Sequence, residues 1–215
     1  MTKEDMLESI RKTGVVAIMR AKSSDQLLAA ADAVLAGGVN TIEVTMTTPG
    51  ALEVVEQATA KYGTDVIFGA GSVLDPETAR AVILAGAQFV VAPTLNLKTI
   101  EVCRRYGVAV IPGAYTPTEI LTAWEAGADM VKVFPASAGG PAYIKDVKTP
   151  LPQIRLVPVG GVDLKTTADF IRAGADAIGV GGALINQKLL DDGDFDAITE
   201  RAARFREEVE KGRTS

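Results

Sequence analysis

Lys132 stands in the middle of an apolar run, Met130-Val131-Lys132-Val133-Phe134-Pro135, where a buried strand would be better served by valine. An ammonium group in such a place requires a partner, a shifted pKa or a chemical task. A second ionisable residue interrupts another strand-like run, Thr41-Ile42-Glu43-Val44-Thr45. A neutral primary amine can attack a ketone to form an imine, whose protonated form is an electron sink for an adjacent carbanion. A nearby carboxylate can move the protons. A structural reading competes, with Lys132 and Glu43 as an ion pair stitched across the interior. Buried pairs seldom stabilise a fold more than apolar residues of the same volume, so that reading leaves the charges unexplained.

Composition narrows the chemistry. The 215 residues include no histidine, which removes Ser-His-Asp and Cys-His nucleophile activation, histidine acid–base work and every His-containing metal site. No metal or cofactor is expected. The single cysteine, Cys103, cannot form an internal disulfide; it lies in a helical pattern beside Arg104 and reads as packing. A reducing cytoplasm suits it. A net charge of −5, from 27 acidic and 22 basic residues, gives no footprint for nucleic acid. No run approaches ~18 consecutive apolar residues, so no membrane partner is expected, and Met1–Asp5 lacks a signal-peptide core. The chain is 47% hydrophobic and 5% aromatic with 21 glycines, as suits one soluble α/β domain over residues 1–215.

The elements that must position these groups repeat. Strand patterns fall at Val15–Arg20, Thr41–Thr45, Val66–Gly71, Phe89–Thr94, Val108–Gly113, Met130–Pro135, Arg155–Gly160 and Ala177–Gly182. Alanine-rich helical patterns separate them, a last helix spans about Phe195–Lys211, and Met1–Arg11 predicts a helix capping the entrance to the first strand. Five helices run into a glycine turn, at Gly37-Gly38, Gly86, Gly107, Gly127 and Gly174. Eight such units predict a (β/α)8 TIM barrel. The rival is an open doubly wound sheet, but Ala21-Lys22-Ser23-Ser24 after the first strand carries no dinucleotide fingerprint.

In a barrel, alternate strand residues point inward and sites form at the C-terminal strand ends. Met130, Lys132 and Phe134 then face the lumen, as do Thr41, Glu43 and Thr45, and Arg20 at the end of the first strand. Arg20 suits a bidentate clamp on a substrate carboxylate, with a rim salt bridge as the alternative. Gly160-Gly161 and Gly181-Gly182 end the last two strands, where backbone N–H groups commonly hold phosphate; tight turns alone are the alternative. Ser72 is placed to hydrogen-bond to substrate, Pro93 shapes the fourth strand end, and Phe134 is an apolar wall that limits proton access. Tyr115 fits a lid or a rim contact. The run Asp191-Asp192-Gly193-Asp194 is expected to start the last helix.

These residues resemble the bacterial 2-keto-3-deoxy-6-phosphogluconate / 4-hydroxy-2-oxoglutarate aldolases over nearly the whole chain. The matching pieces include Val16–Arg20, Ile42-Glu43-Val44-Thr45, Gly69–Val73, Ile111-Pro112-Gly113, Lys132–Ala136 and Pro158–Val162. The resemblance implies a class I aldolase that cleaves the phosphorylated 2-keto acid to pyruvate and glyceraldehyde 3-phosphate, as a homotrimer. It implies Lys132 as the imine-forming residue, Glu43 as the general acid/base and Ser72 in the place of a threonine on the pyruvyl group. Thr47 stands where one branch has arginine, leaving Arg20 as the sole carboxylate clamp, and Ala183 stands where some relatives carry serine near the phosphate. Other outcomes are an aldolase for the 6-phosphogalactonate epimer or an unphosphorylated 4-hydroxy-2-keto acid, a sugar-phosphate epimerase or isomerase, and a non-catalytic scaffold.

Overall fold

The computed structural model describes residues 1–214; Ser215, the last residue of the expected domain, lies outside the described residues. Helix α1 (Lys3–Thr13) opens on a capping box between Thr2 and Asp5 and stops at Gly14, whose φ of 72° no bulky residue adopts easily. Strand β1 (Val15–Met19) follows, then α2 (Ser24–Ala36), β2 (Thr41–Thr45), α3 (Ala51–Tyr62), β3 (Ile67–Gly71), α4 (Pro76–Leu84), β4 (Phe89–Val91) and α5 (Leu97–Arg105). Next come β5 (Ala109–Ile111), β6 (Gly113–Ala114), α6 (Pro117–Glu125), β7 (Val131–Val133), a 3-10 turn at Ala136–Ala138 and α7 (Gly140–Lys148). The chain ends with β8 (Leu156–Pro158), α8 (Thr167–Arg172), β9 (Ile178–Val180), α9 (Gln187–Asp192) and α10 (Phe195–Arg213).

Every strand pairing is parallel. One sheet runs β5-β4-β3-β2-β1-β9 and the other β6-β7-β8. The fold is thus α/β, with parallel sheets flanked by helices, and resembles a (β/α)8 barrel. The run expected as one strand over Val108–Gly113 is two short strands in different sheets. Pro112, which has no N–H for the ladder, separates them, while its carbonyl still accepts from Lys132 N at 2.9 Å. On the other side a single bridge, Val159 to Gly179, links the chain just beyond β8 to β9.

Burial follows the expected parity. An inner cluster holds Val16, Ile18, Phe89, Val91, Ile111, Met130 and Val157. Ile42, Val44, Val131 and Val133 belong to the outer cluster, between strands and helices. Met6, Leu7 and Ile10 of α1 join the inner cluster, so this helix closes the end where the strands begin, as its amphipathic pattern predicts. The expected glycine turns are present: after α2, α4, α5, α6 and α8 the amide two beyond the cap bonds back to the last turn, as in Val39 N to Val34 O and Ala128 N to Ala123 O.

Several strands are shorter than the expected runs, β7 spanning Val131–Val133 within Met130–Pro135, and the region between β9 and the last helix differs more. The sequence pattern misses α9, a six-residue helix with no alanine that leads into another helix instead of a strand and so falls outside the strand–helix repeat. Asp191 and Asp192 consequently end α9 instead of starting the last helix; Gly193 turns the chain, and only Asp194 caps α10, accepting from Ala197 N at 3.1 Å.

Candidate active site

The C-terminal strand ends enclose a cavity of about 410 Å³. Lys132 and Glu43 lie on its floor, 6% and 2% exposed. Register explains their depth. Lys132 is the central residue of β7, opposite Gly113 on one side and Val157 on the other. Glu43 is the central residue of β2, opposite Ile18 and Gly69. Flanking valines and isoleucine hold both strands against the helices, so each polar side chain is driven toward the interior.

Among the described residues, Lys132 and Glu43 make no ion pair with each other or with any other side chain. The stitched-pair reading therefore fails. The Lys132 ammonium sits 5.4 Å from the centre of the Phe134 ring, within cation–π range. Burial pushes the Glu43 carboxyl above the usual carboxylate range, while the charges of Lys132 and then Arg20 pull against that rise. A carboxyl so held can both take and return a proton.

Gly71 makes room for this carboxyl: a Cβ there would lie 1.8 Å from Glu43 Oε1. The next residue, Ser72, lines the cavity and has a φ of 59°, a conformation that costs a non-glycine residue roughly 1–3 kcal/mol. Arg20, exposed at the mouth, has no ion-pair partner among the described residues, so the rim salt bridge is absent.

The glycines divide into two kinds. Gly160 and Gly161 have φ of 90° and 78°, and a Cβ on Gly161 would meet Ser137 Cβ at 2.5 Å. Their turn requires glycine. Gly182 faces open space, with nothing within 4 Å of a Cβ there, and a Cβ on Gly181 would only touch Ile18 at 3.8 Å, so their bareness leaves volume for a ligand. The amides of Gly161, Gly182 and Ala183 donate to no acceptor among the described residues, as an anion cradle needs.

Of the residues singled out from the sequence, Lys132, Glu43, Arg20, Ser72, Pro93, Phe134, Gly160, Gly161, Gly181 and Gly182 line this one cavity. Thr45 and Thr47 do not. The Thr45 hydroxyl is fully buried and lies 2.9 Å from that of Thr47 and 3.5 Å from that of Thr48, so the pair serves the turn after β2. Tyr115 is also outside the cavity, stacked on Tyr143 at 5.0 Å with the Tyr143 hydroxyl donating to its carbonyl. Cys103 is buried, and burial with the Asp129 charge pushes its thiol up to about 12, which suits packing. Sequence reasoning missed Asp163 on the cavity wall; its signal is an Asp three residues before Thr166 at the start of α8. Among the described residues, no cluster of three metal-ligating side chains occurs.

A buried amine free of ion pairs, a buried carboxyl and a glycine cradle, carried to one cavity by parallel strands, are the equipment of a lysine-dependent carbon–carbon lyase. Comparison with known proteins narrows the class. The family model KDPG and KHG aldolase matches residues 6–201. The chain is 38% identical to 2-dehydro-3-deoxy-6-phosphogalactonate aldolase of Escherichia coli K12, over 80% of this chain and 85% of that one. It is 35% identical to the KHG/KDPG aldolase of the same organism, over 94% of each. Its backbone matches KDPG aldolase from Legionella pneumophila, with pyruvate captured as a covalent carbinolamine, at a TM-score of 0.86 and 25% identity. That match covers 92% of this chain and 96% of the other. The chain belongs to the KDPG and KHG aldolase family, the class I aldolases that work through a lysine Schiff base.

Proposed function

We propose that this chain cleaves 2-keto-3-deoxy-6-phosphogluconate to pyruvate and glyceraldehyde 3-phosphate, with Lys132 as the amine and Glu43 as the proton carrier. The observation that carries this reading is the buried Lys132, free of any ion pair among the described residues, in one cavity with buried Glu43 and the glycine cradle. Lys132 Nζ adds to the C2 carbonyl, and loss of water gives the iminium ion. Glu43 takes the proton of the C4 hydroxyl as the C3–C4 bond breaks. The bonding pair moves into the iminium to give an enamine, and the aldehyde leaves. Glu43 returns the proton to C3, and water then releases pyruvate and the free amine. Arg20 holds the C1 carboxylate, Ser72 contacts the pyruvyl end, and the Gly160-Gly161 and Gly181-Gly182 amides receive the phosphate. The residues themselves supply every group in these steps, with no cofactor.

A second reading is the 6-phosphogalactonate epimer, favoured by the 38% identity to the Escherichia coli enzyme named for that substrate. Three further features belong to the proposal. The strands close into a single (β/α)8 barrel domain, supported by the bridge from Val159 to Gly179 and the Lys132 bond to Pro112. The chain forms a homotrimer, supported by the exposed apolar side chains of Leu74 and Leu97, 59% and 50% exposed, with Asn96, the residue before Leu97, donating to Leu74 O. It works in the cytoplasm; among the described residues no helix is long and apolar enough to cross a membrane, and Cys103 is a free thiol.

The test is pyruvate release, followed with lactate dehydrogenase, from both sugar-acid epimers with and without phosphate and from 4-hydroxy-2-oxoglutarate. The phosphorylated gluconate derivative is expected to give the highest kcat/KM, about tenfold or more above its unphosphorylated form. A higher value for the galactonate epimer transfers the function to the second reading. Epimerisation without pyruvate release defeats both.

A further inference from the structure

Beyond the glycine cradle the cavity wall continues into a shallow recess of about 430 Å³, bounded by Asp163, Leu164, Lys165, Ala183, Arg201 and Arg204. Asp163 and Ala183 belong to both spaces, so the recess borders the place where the phosphate of a bound substrate would sit. Its charge is one-sided. Asp163 is turned into its own loop, accepting from Lys165 N and Thr166 N at 3.0 Å and from the Thr166 hydroxyl at 2.9 Å. Arg204 has Glu200 at 4.0 Å. Lys165 and Arg201 have no ion-pair partner among the described residues. Arg201 Nη1 reaches the Ala183 carbonyl at 3.5 Å, a long hydrogen bond that holds the guanidinium beside the Gly181-Gly182-Ala183 turn.

Ala183 offers that turn no hydroxyl donor, so an anion there relies on backbone amides and on whatever cation stands near. Resting on the phosphorylated keto-acid reading, we propose that Arg201 and Lys165 are specificity-determining residues that select the terminal phosphate dianion through charge at the outer edge of the cradle. They bind the end of the substrate farthest from the imine, where an interaction equal in ground and transition states lowers KM without raising kcat. Guanidinium and ammonium groups contribute differently: Arg201 can make a directed bond to a phosphate oxygen, whereas Lys165, on a flexible stem, adds mainly field.

The experiment measures kcat and KM for Arg201→Gln, Lys165→Gln and the double variant on the phosphorylated substrate and its unphosphorylated counterpart. KM for the phosphorylated substrate is expected to rise about tenfold for Arg201→Gln, the scale of one lost charge-assisted bond, with kcat unchanged. The unphosphorylated substrate should show no change, and inorganic phosphate should inhibit the double variant more weakly than the parent. Arg172→Gln makes the same charge change at the opposite end of α8, where Arg172 pairs with Asp169, and should alter neither substrate. Arg201→Lys retains the charge and should recover part of the affinity, which separates charge from folding. Ala183→Ser placed on Arg201→Gln should restore binding by adding a hydroxyl donor. Equal losses on both substrates, or an unaltered KM in the double variant, overturn the proposal. A parent enzyme that releases pyruvate from no keto acid overturns the substrate reading as well.

Discussion

Glu43 owes its character to the strand that carries it. Its carboxyl is buried with no hydrogen-bond donor among the described residues, and desolvation outweighs the nearby positive charges. A folded-state pKa above the unfolded value means that the native state binds the proton more tightly than the unfolded chain does. The resulting contribution to stability is present below the ordinary glutamate range and is lost as pH rises through the raised folded value. Glu43→Gln removes that dependence. The variant should therefore melt higher than the parent at about pH 8, with the gap shrinking toward about pH 4. In turnover it should lose a factor on the order of 10² or more while still forming the pyruvate adduct. Turnover at the parental rate, or a melting gap that widens in acid, would contradict this account. Glu43 and Lys132 were legible in the sequence because a charge inside an apolar run is costly and conspicuous. Thr45 and Thr47 were less legible: a hydroxyl at a strand end serves a substrate or a turn equally well, and here Thr45 and Thr47 satisfy each other.

At the scale of elements, glycine acts in opposite ways on two strands of one sheet, β3 and β9. In β3, Gly71 yields its side-chain space to Glu43, so Gly71→Ala should displace the carboxylate and lower turnover by about tenfold or more, with a loss of stability. Beyond β9, Gly182 yields its space to solvent or ligand. Gly182→Ala should leave the melting temperature near that of the parent and raise KM for the phosphorylated substrate alone. Kinetics and melting curves on the two variants check both statements; a destabilised Gly182→Ala with ordinary KM would be contrary. The alternation of elements was legible because helix periodicity and glycine turns repeat through the chain and agree with one another. What escaped was short or local. Helix α9 stands outside the strand–helix alternation, leading into α10 instead of a strand, and the break at Pro112 depends on which neighbour the strand meets on each side of the proline.

The whole molecule separates stability from chemistry. An outer apolar layer locks strands to helices, an inner layer closed by α1 fills the bottom, and the polar groups are left at the top of the same strands. The lysine floor costs stability that this double core can bear. Assembly belongs to this scale too. Sedimentation equilibrium should give the mass of three chains, and Leu74→Glu with Leu97→Glu should reduce it to one; an unaltered mass would move the interface elsewhere. The central claim is that Lys132 is the nucleophile. Pyruvate and borohydride should leave a reduced pyruvyl group on the peptide containing Lys132, and the folded variant Lys132→Met should take none. Folded parent protein that stays unmodified at Lys132, or carries the adduct on another lysine, would contradict the account.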